Sequence, residues 1–80
     1  MTVKDCIALR FKNLCAAQGI RYNELATRSG VTPSTVYSMM DPRRRDLSVV
    51  TLKKLCDGLD ISLAEFFSGP EFLDLEQEIC

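Results

Sequence analysis

Apolar residues recur along most of this chain at spacings of three and four, the rhythm of one face of a helix. Ile7, Phe11 and Leu14 set a stripe over residues 3–18, with Lys4, Arg10, Lys12 and Asn13 largely outside it. Gly19 follows as a helix stop. Residues 22–29 give a second helix of two turns, with Leu25 and Ala26 inward and Asn23, Glu24 and Arg28 outward. Ser29-Gly30 ends it, since glycine takes positive φ without steric cost. Val31 plugs the corner that follows. Thr32 is a good cap and Pro33 a good first residue for a third helix, 33 to about 40. Val36 is that helix's surest core residue, with Met39 or Met40 one turn on.

Asp41-Pro42 closes the third helix, because the residue before proline resists the α conformation. Arg43, Arg44 and Arg45 then form an exposed loop. Ser48 caps a fourth helix over 49–59, whose stripe is Val49 or Val50, Leu52, Leu55, Cys56 and Leu59. Ser62 to Glu65 reads as a capping box opening a fifth helix, 63–67, which buries Leu63 and Phe66, with Phe67 a further candidate. Gly69-Pro70 ends it. In the acidic tail, Phe72, Leu75 and Ile79 stand at i, i+3 and i+7. That spacing suits a short sixth helix docked on its own core or on a second subunit; a frayed acidic end is the alternative. The pattern therefore predicts an all-α fold of five compact helices. Residues 1–69 form the domain and residues 70–80 an acidic, apolar tail. Repeats, low-complexity tracts and strand alternation are absent from the sequence.

Eighty residues make one domain, which buries only about 60% of the surface its unfolded chain exposes. An apolar content of 46% and a charged content of 26% are those of a globular chain. No run approaches the roughly eighteen apolar residues of a membrane span, and MTVKDCIALRF lacks a signal peptide's apolar stretch. A soluble, cytoplasmic protein is expected, without membrane partners. Cys6, Cys15, Cys56 and Cys80 form no C-x-x-C pair, and the chain has no histidine, so neither metal nor cofactor is expected. The first three cysteines fall in helical patterns as small buried thiols, Cys80 is terminal, and a cytosolic setting disfavours disulfides.

Net charge is −1, but its distribution is lopsided. Residues 1–54 carry all ten Lys and Arg and only Asp5, Glu24, Asp41 and Asp46 as acids. Residues 55–80 carry no base and seven acids. One end of the domain thus suits an anionic partner. The acidic isoelectric point argues against indiscriminate nucleic-acid binding, not against a local basic face.

Two short helices joined by a turn containing glycine describe a helix-turn-helix. On this basis the chain resembles the DNA-binding domains of the phage lambda repressor and Cro type over residues 7–67. That family's I-x-x-x-I-x-x-L and glycine match Ile7, Phe11, Leu14 and Gly19. Its ELA and later glycine match Glu24, Leu25, Ala26 and Gly30, and its ST-[IV] matches Ser34, Thr35 and Val36. Its closing run, S-L-x-T-L-x-x-L-x-x-x-L-x-[VI]-S-L-x-E-[LF]-F, matches Ser48 through Phe67 almost position for position. The departures are equally specific. Arg21 and Tyr22 stand where the family often has a Ser cap and Gln. Pro33, Ser34 and Ser38 stand where many members carry Gln, Arg or Asn. Asp60 replaces the usual glycine after the fourth helix. The loop holding the arginines is about one residue longer.

The resemblance implies a sequence-specific regulator of transcription that inserts helix 33–40 into the major groove, which admits one helix. Pro33, Ser34, Thr35, Tyr37 and Ser38 are then the candidate base contacts. For Ser34 and Thr35, capping the first turn competes with that role. Tyr22, Arg28, Arg43, Arg44 and Arg45 are the candidate phosphate contacts. Arg10 is weaker, since it can pair with an acid of the domain. The partner is double-stranded DNA, bound as a homodimer through Phe67, Phe72, Leu75 and Ile79. Eighty residues leave little room for a small-molecule ligand domain. A protein-interaction module, such as the antitoxin of a toxin pair, is the alternative use of this fold. Catalysis is not expected: there is no histidine base, no Gly-rich phosphate loop and no evident carboxylate pair.

Overall fold

A computed structural model describes residues 1–75 and 77. Its elements are α1 (Val3–Gln18), α2 (Tyr22–Ser29), α3 (Pro33–Met40), α4 (Val49–Gly58), α5 (Leu63–Phe67) and a single 3-10 turn at Pro70–Phe72. Among the described residues there is no strand, and no helix is long and apolar enough to cross a membrane. The expected all-α, five-helix architecture is therefore the one found. Phe72 lies in the 3-10 turn and Leu75 just beyond it, while Ile79 and Cys80 lie outside the described residues.

Most of the helix ends have a local cause, although α2 starts after Arg21 with no side-chain cap. Thr2 opens α1 with a full capping box: its hydroxyl accepts from Asp5 N at 3.2 Å, and its own N–H donates to the Asp5 carboxylate at 3.3 Å. Thr32, Ser48 and Ser62 cap α3, α4 and α5 by accepting from the N–H three residues on. The box expected at Ser62 is made only in that one half. Gly30 ends α2 at φ 71°, and Val31 N–H then reaches back to Ala26 O at 3.1 Å. The same chain reversal after α4 falls on Asp60 at φ 60°, with Ile61 N–H on Cys56 O at 3.1 Å. α4 itself stops at Gly58, one residue short of expectation.

The core joins all five helices. Phe11 of α1 lies against Phe66 of α5, ring centroids 4.5 Å apart, with Leu25, Ala26, Val36, Leu55, Cys56 and Leu59 around them. α2 is wedged between α3 and α4. Helices as short as α2 and α3 are marginal alone, so this packing is what keeps them folded. Two expectations about the stripes fail. Val49 and Val50 are 72% and 63% exposed: the α4 stripe starts only at Leu52, and the first turn runs past the body that would cover it. Lys4, placed outside the α1 stripe, is 4% exposed.

Tail and body meet through polar groups as well as through Phe72. Arg10 donates from Nε to Phe66 O (2.9 Å) and from Nη2 to Glu65 O (3.1 Å), satisfying carbonyls at the end of α5. Its guanidinium also lies 3.7 Å from Glu71, which takes a 2.7 Å hydrogen bond from Asn13. Arg10 is thus paired with an acid, though one that belongs to the tail rather than to residues 1–69. Burial raises the Glu71 pKa, but the Asn13 hydrogen bond, a backbone hydrogen bond and Arg10 outweigh it, and the net shift is downward.

Candidate nucleic-acid interface

α3 is anchored along one side and open along the other. Val36 and Met39 are buried in the core, while Pro33 and Ser34 are exposed and Tyr37 is 54% exposed. Thr35 and Ser38 are half-buried at the edges. The hydroxyls of Ser34 and Thr35 both lie 3.0 Å from the Thr32 hydroxyl, so in the free protein both belong to the cap. The Ser38 hydroxyl and the Tyr37 phenol have no hydrogen-bond partner among the described residues.

Grooves flank this helix on two sides. One, of about 260 Å³, runs between α3 and the start of α4 and is lined by Ser34, Thr35, Ser38, Arg44, Ser48 and Thr51, among others. The other, of about 410 Å³, lies between α1, the start of α2 and Tyr37 of α3. Its walls include Lys12, Arg21, Tyr22 and Tyr37. Tyr22 and Tyr37 meet edge to face there, centroids 5.8 Å apart. Burial, helped by Cys15 and Tyr37, pushes the Tyr22 pKa up, so its phenol stays a neutral donor at physiological pH. Lys12 and Arg21 were not among the expected phosphate contacts. Lys12 sits on α1, far in sequence from the helix-turn-helix, and Arg21 occupies a cap position where its backbone rather than its charge drew notice.

The three consecutive arginines are not equivalent. Arg43 folds back on Asp41, with Nε and Nη2 each 3.1 Å from one carboxylate oxygen, although its side chain is 89% exposed. That pairing holds the Asp41 carboxyl below its usual range and raises Arg43. Arg44 lines the groove beside α3. Arg45 lines a different groove, with Val3, Leu47, Val49 and Phe67. Arg28 is paired with Glu24 at 2.6 Å, one turn back on α2.

Beneath the loop lies Lys4. Its ammonium donates to Asp41 O at 3.2 Å and Arg44 O at 3.1 Å, the first and last residues of one turn. Burial lowers its pKa, opposed by the charges of Asp41 and Asp5. Nothing in the hydrophobic pattern signals this role, because a lysine whose stem is covered and whose head meets carbonyls looks like any surface lysine.

Of the expected dimer residues, Phe67 and Leu75 are exposed, while Phe72 is half-buried against Phe66 and Phe67. Ile79 lies outside the described residues.

A short probe helix braced by its predecessor across a glycine turn, with basic groups on both flanks and two phenols on one, defines a helix-turn-helix of the DNA-binding class. The chain belongs to the Cro/C1-type HTH DNA-binding domain family, whose pattern matches residues 10–70. Membership places it among DNA-binding transcriptional regulators. Among solved structures it is similar to the prophage Lp1 protein 11, with a TM-score of 0.80, 28% identity, and 94% of this chain and 99% of that one covered. The wild-type restriction-modification controller protein C.Esp1396I shares the fold at a TM-score of 0.76 and 19% identity, with 85% and 87% covered. No curated protein matches the chain in sequence.

Proposed function

We propose that this chain is a cytoplasmic, sequence-specific regulator that binds operator DNA as a homodimer, with α3 in the major groove. The observation that carries the reading is the two-sidedness of α3: Val36 fully buried, Pro33, Ser34 and Tyr37 outside, and Arg44 in the adjoining groove. Base contact falls to Pro33, Ser34, Thr35, Tyr37 and Ser38. Hydroxyls donate or accept, so Ser34, Thr35 and Ser38 each discriminate loosely, and Tyr37 and Pro33 offer surface to thymine methyls. Phosphate contact falls to Tyr22, Arg43, Arg44 and Arg45, with Arg28 available once it leaves Glu24.

Two probe helices about 34–36 Å apart read a palindrome that one cannot. Exposed Phe67 and Leu75 support a dimer surface at that end, and Val3 and Val49 beside Phe67 extend it. Fluorescence anisotropy on duplexes selected from random DNA tests the reading. Binding that tightens on a palindrome and weakens steeply with salt supports it. No binding to any duplex at 50 mM salt sinks it.

One observation favours a second reading, a protein-interaction module of the antitoxin kind. The Ser34 and Thr35 hydroxyls are both committed to Thr32, which leaves α3 few free polar groups. A stoichiometric protein partner that co-purifies with a chain lacking DNA affinity distinguishes this reading from the first.

A further inference from the structure

We propose that Lys4 is a positioning residue for DNA binding: its buried ammonium holds the loop after α3 so that Arg44 stays in the groove beside the probe helix. The inference rests on the DNA-binding reading above.

Loop 41–48 has no regular secondary structure, and few bonds hold its shape. Arg44 N–H bonds to Asp41 O at 3.1 Å, closing a turn. Arg43 N–H bonds to the Asp41 carboxylate at 2.9 Å. Both of these lie within the turn; the loop's ends are held by Asp41 N–H on Ser38 O at 3.2 Å and by Leu47 against the core, and neither ties the turn itself to α1. Lys4 does: it reaches from the first turn of α1 and takes the carbonyls at both ends of the turn. An ammonium has three donors and no acceptor, and suits two converging carbonyls in a way a neutral side chain of that length does not. The Arg44 carbonyl is one of the two, so the clamp acts on the backbone of the residue whose side chain lines the groove with Ser34, Thr35 and Ser38. The Arg44 guanidinium has no hydrogen-bond partner among the described residues and remains available to a phosphate. Neighbouring Arg45 faces the other groove. A loop free to turn would therefore mix two outcomes, one with its arginine beside α3 and one without.

A loop backbone held in advance does not have to be ordered on binding, and ordering costs of this kind are equivalent to about 2–10-fold in affinity. K4M keeps the stem and removes the donors. K4R keeps a charged donor able to span two carbonyls.

The test is a double-mutant cycle on the full chain, with binding to a selected duplex measured across salt for wild type, K4M, R44A and K4M/R44A. All variants are checked for folding by circular dichroism. Expected: K4M weakens binding about 2–10-fold, K4R restores most of it, and K4M costs almost nothing once Arg44 is gone. In the free protein, trypsin cuts after Arg43–Arg45 faster in K4M than in wild type or K4R. If K4M weakens binding equally with and without Arg44, or leaves loop cleavage unchanged, the clamp is overturned. K4Q, a shorter neutral donor, replaces K4M throughout if K4M is unfolded. Wild type that binds no duplex overturns the DNA-binding reading instead, an outcome visible before any variant is compared.

Discussion

Replacing Asp60 by glycine is expected to stabilise the protein. Asp60 is the one non-glycine residue with positive φ among those described, at 60°. A side chain there crowds the backbone at a cost of about 1–2 kcal/mol, with Asp toward the lower end. Glycine removes that cost, and it adds back about 0.4–1 kcal/mol through the greater freedom of the unfolded chain. The two backbone bonds of the reversal, Asp60 N to Asp57 O and Ile61 N to Cys56 O, need no side chain and survive. The Asp60 side chain is exposed and makes no hydrogen bond among the described residues, so none is lost. Taking a carboxylate away from the negative end of α4 acts in the same direction. The net is a gain of about 0.5–1 kcal/mol, or roughly 2–8 °C in melting temperature for a domain of this size. Differential scanning calorimetry of wild type, D60G, D60N and D60A measures it. The expected order is D60G highest, D60N at or above wild type, and D60A lowest, because alanine has neither glycine's freedom nor a polar group suited to this conformation. A D60A protein as stable as D60G would show that left-handed strain is not what distinguishes them.

Acid should unfold the domain in a definite window. Glu71, Asp5 and Asp41 all have folded pKa values below their ordinary 4.5 and 3.8, so their stabilisation is complete above those values and is lost as pH falls through the lower folded ones. Melting temperature should thus hold down to about pH 4.5 and drop below it, and E71Q should melt lower at pH 7 with a shallower acid slope. Among single arginine variants, R44A should flatten the salt dependence of DNA binding most, by about 0.9 in slope for one phosphate, and the triple alanine variant should weaken all duplexes alike. An R45A effect as large as that of R44A would contradict the separate grooves. Thiol labelling with mass mapping at pH 8 should leave Cys6, Cys15 and Cys56 unmodified until denaturant is added, since all three are buried and burial pushes Cys56 up to about 11 and raises Cys15.

The helices were readable because their signals are local. Gly19 and Gly30 at stops, Thr32-Pro33 and Ser48 at starts, and stripes such as Leu52, Leu55, Cys56 and Leu59 all depend on neighbours within a turn or two. What escaped depends on distance. Val49 continues the periodicity of α4, yet only the position of the rest of the domain decides that nothing covers it. Arg10 satisfying the carbonyls of α5, and Lys4 those of the arginine loop, join residues about forty or more apart in sequence. The unequal directions of Arg43, Arg44 and Arg45 follow from a turn whose anchor lies on another helix. Thr2 and Asp5 are a different case: the spacing of a capping box was present in the sequence at the head of the first helix.

The edge-to-face contact between Tyr22 and Tyr37 has a practical use. These are the chain's only tyrosines, and it has no tryptophan, so its ultraviolet emission arises from one pair of touching rings beside the probe helix. Any occupant of that flank perturbs both chromophores at once. Intrinsic fluorescence of the unlabelled protein is therefore a built-in reporter of docking, with no other aromatic emitter of comparable strength to mask it.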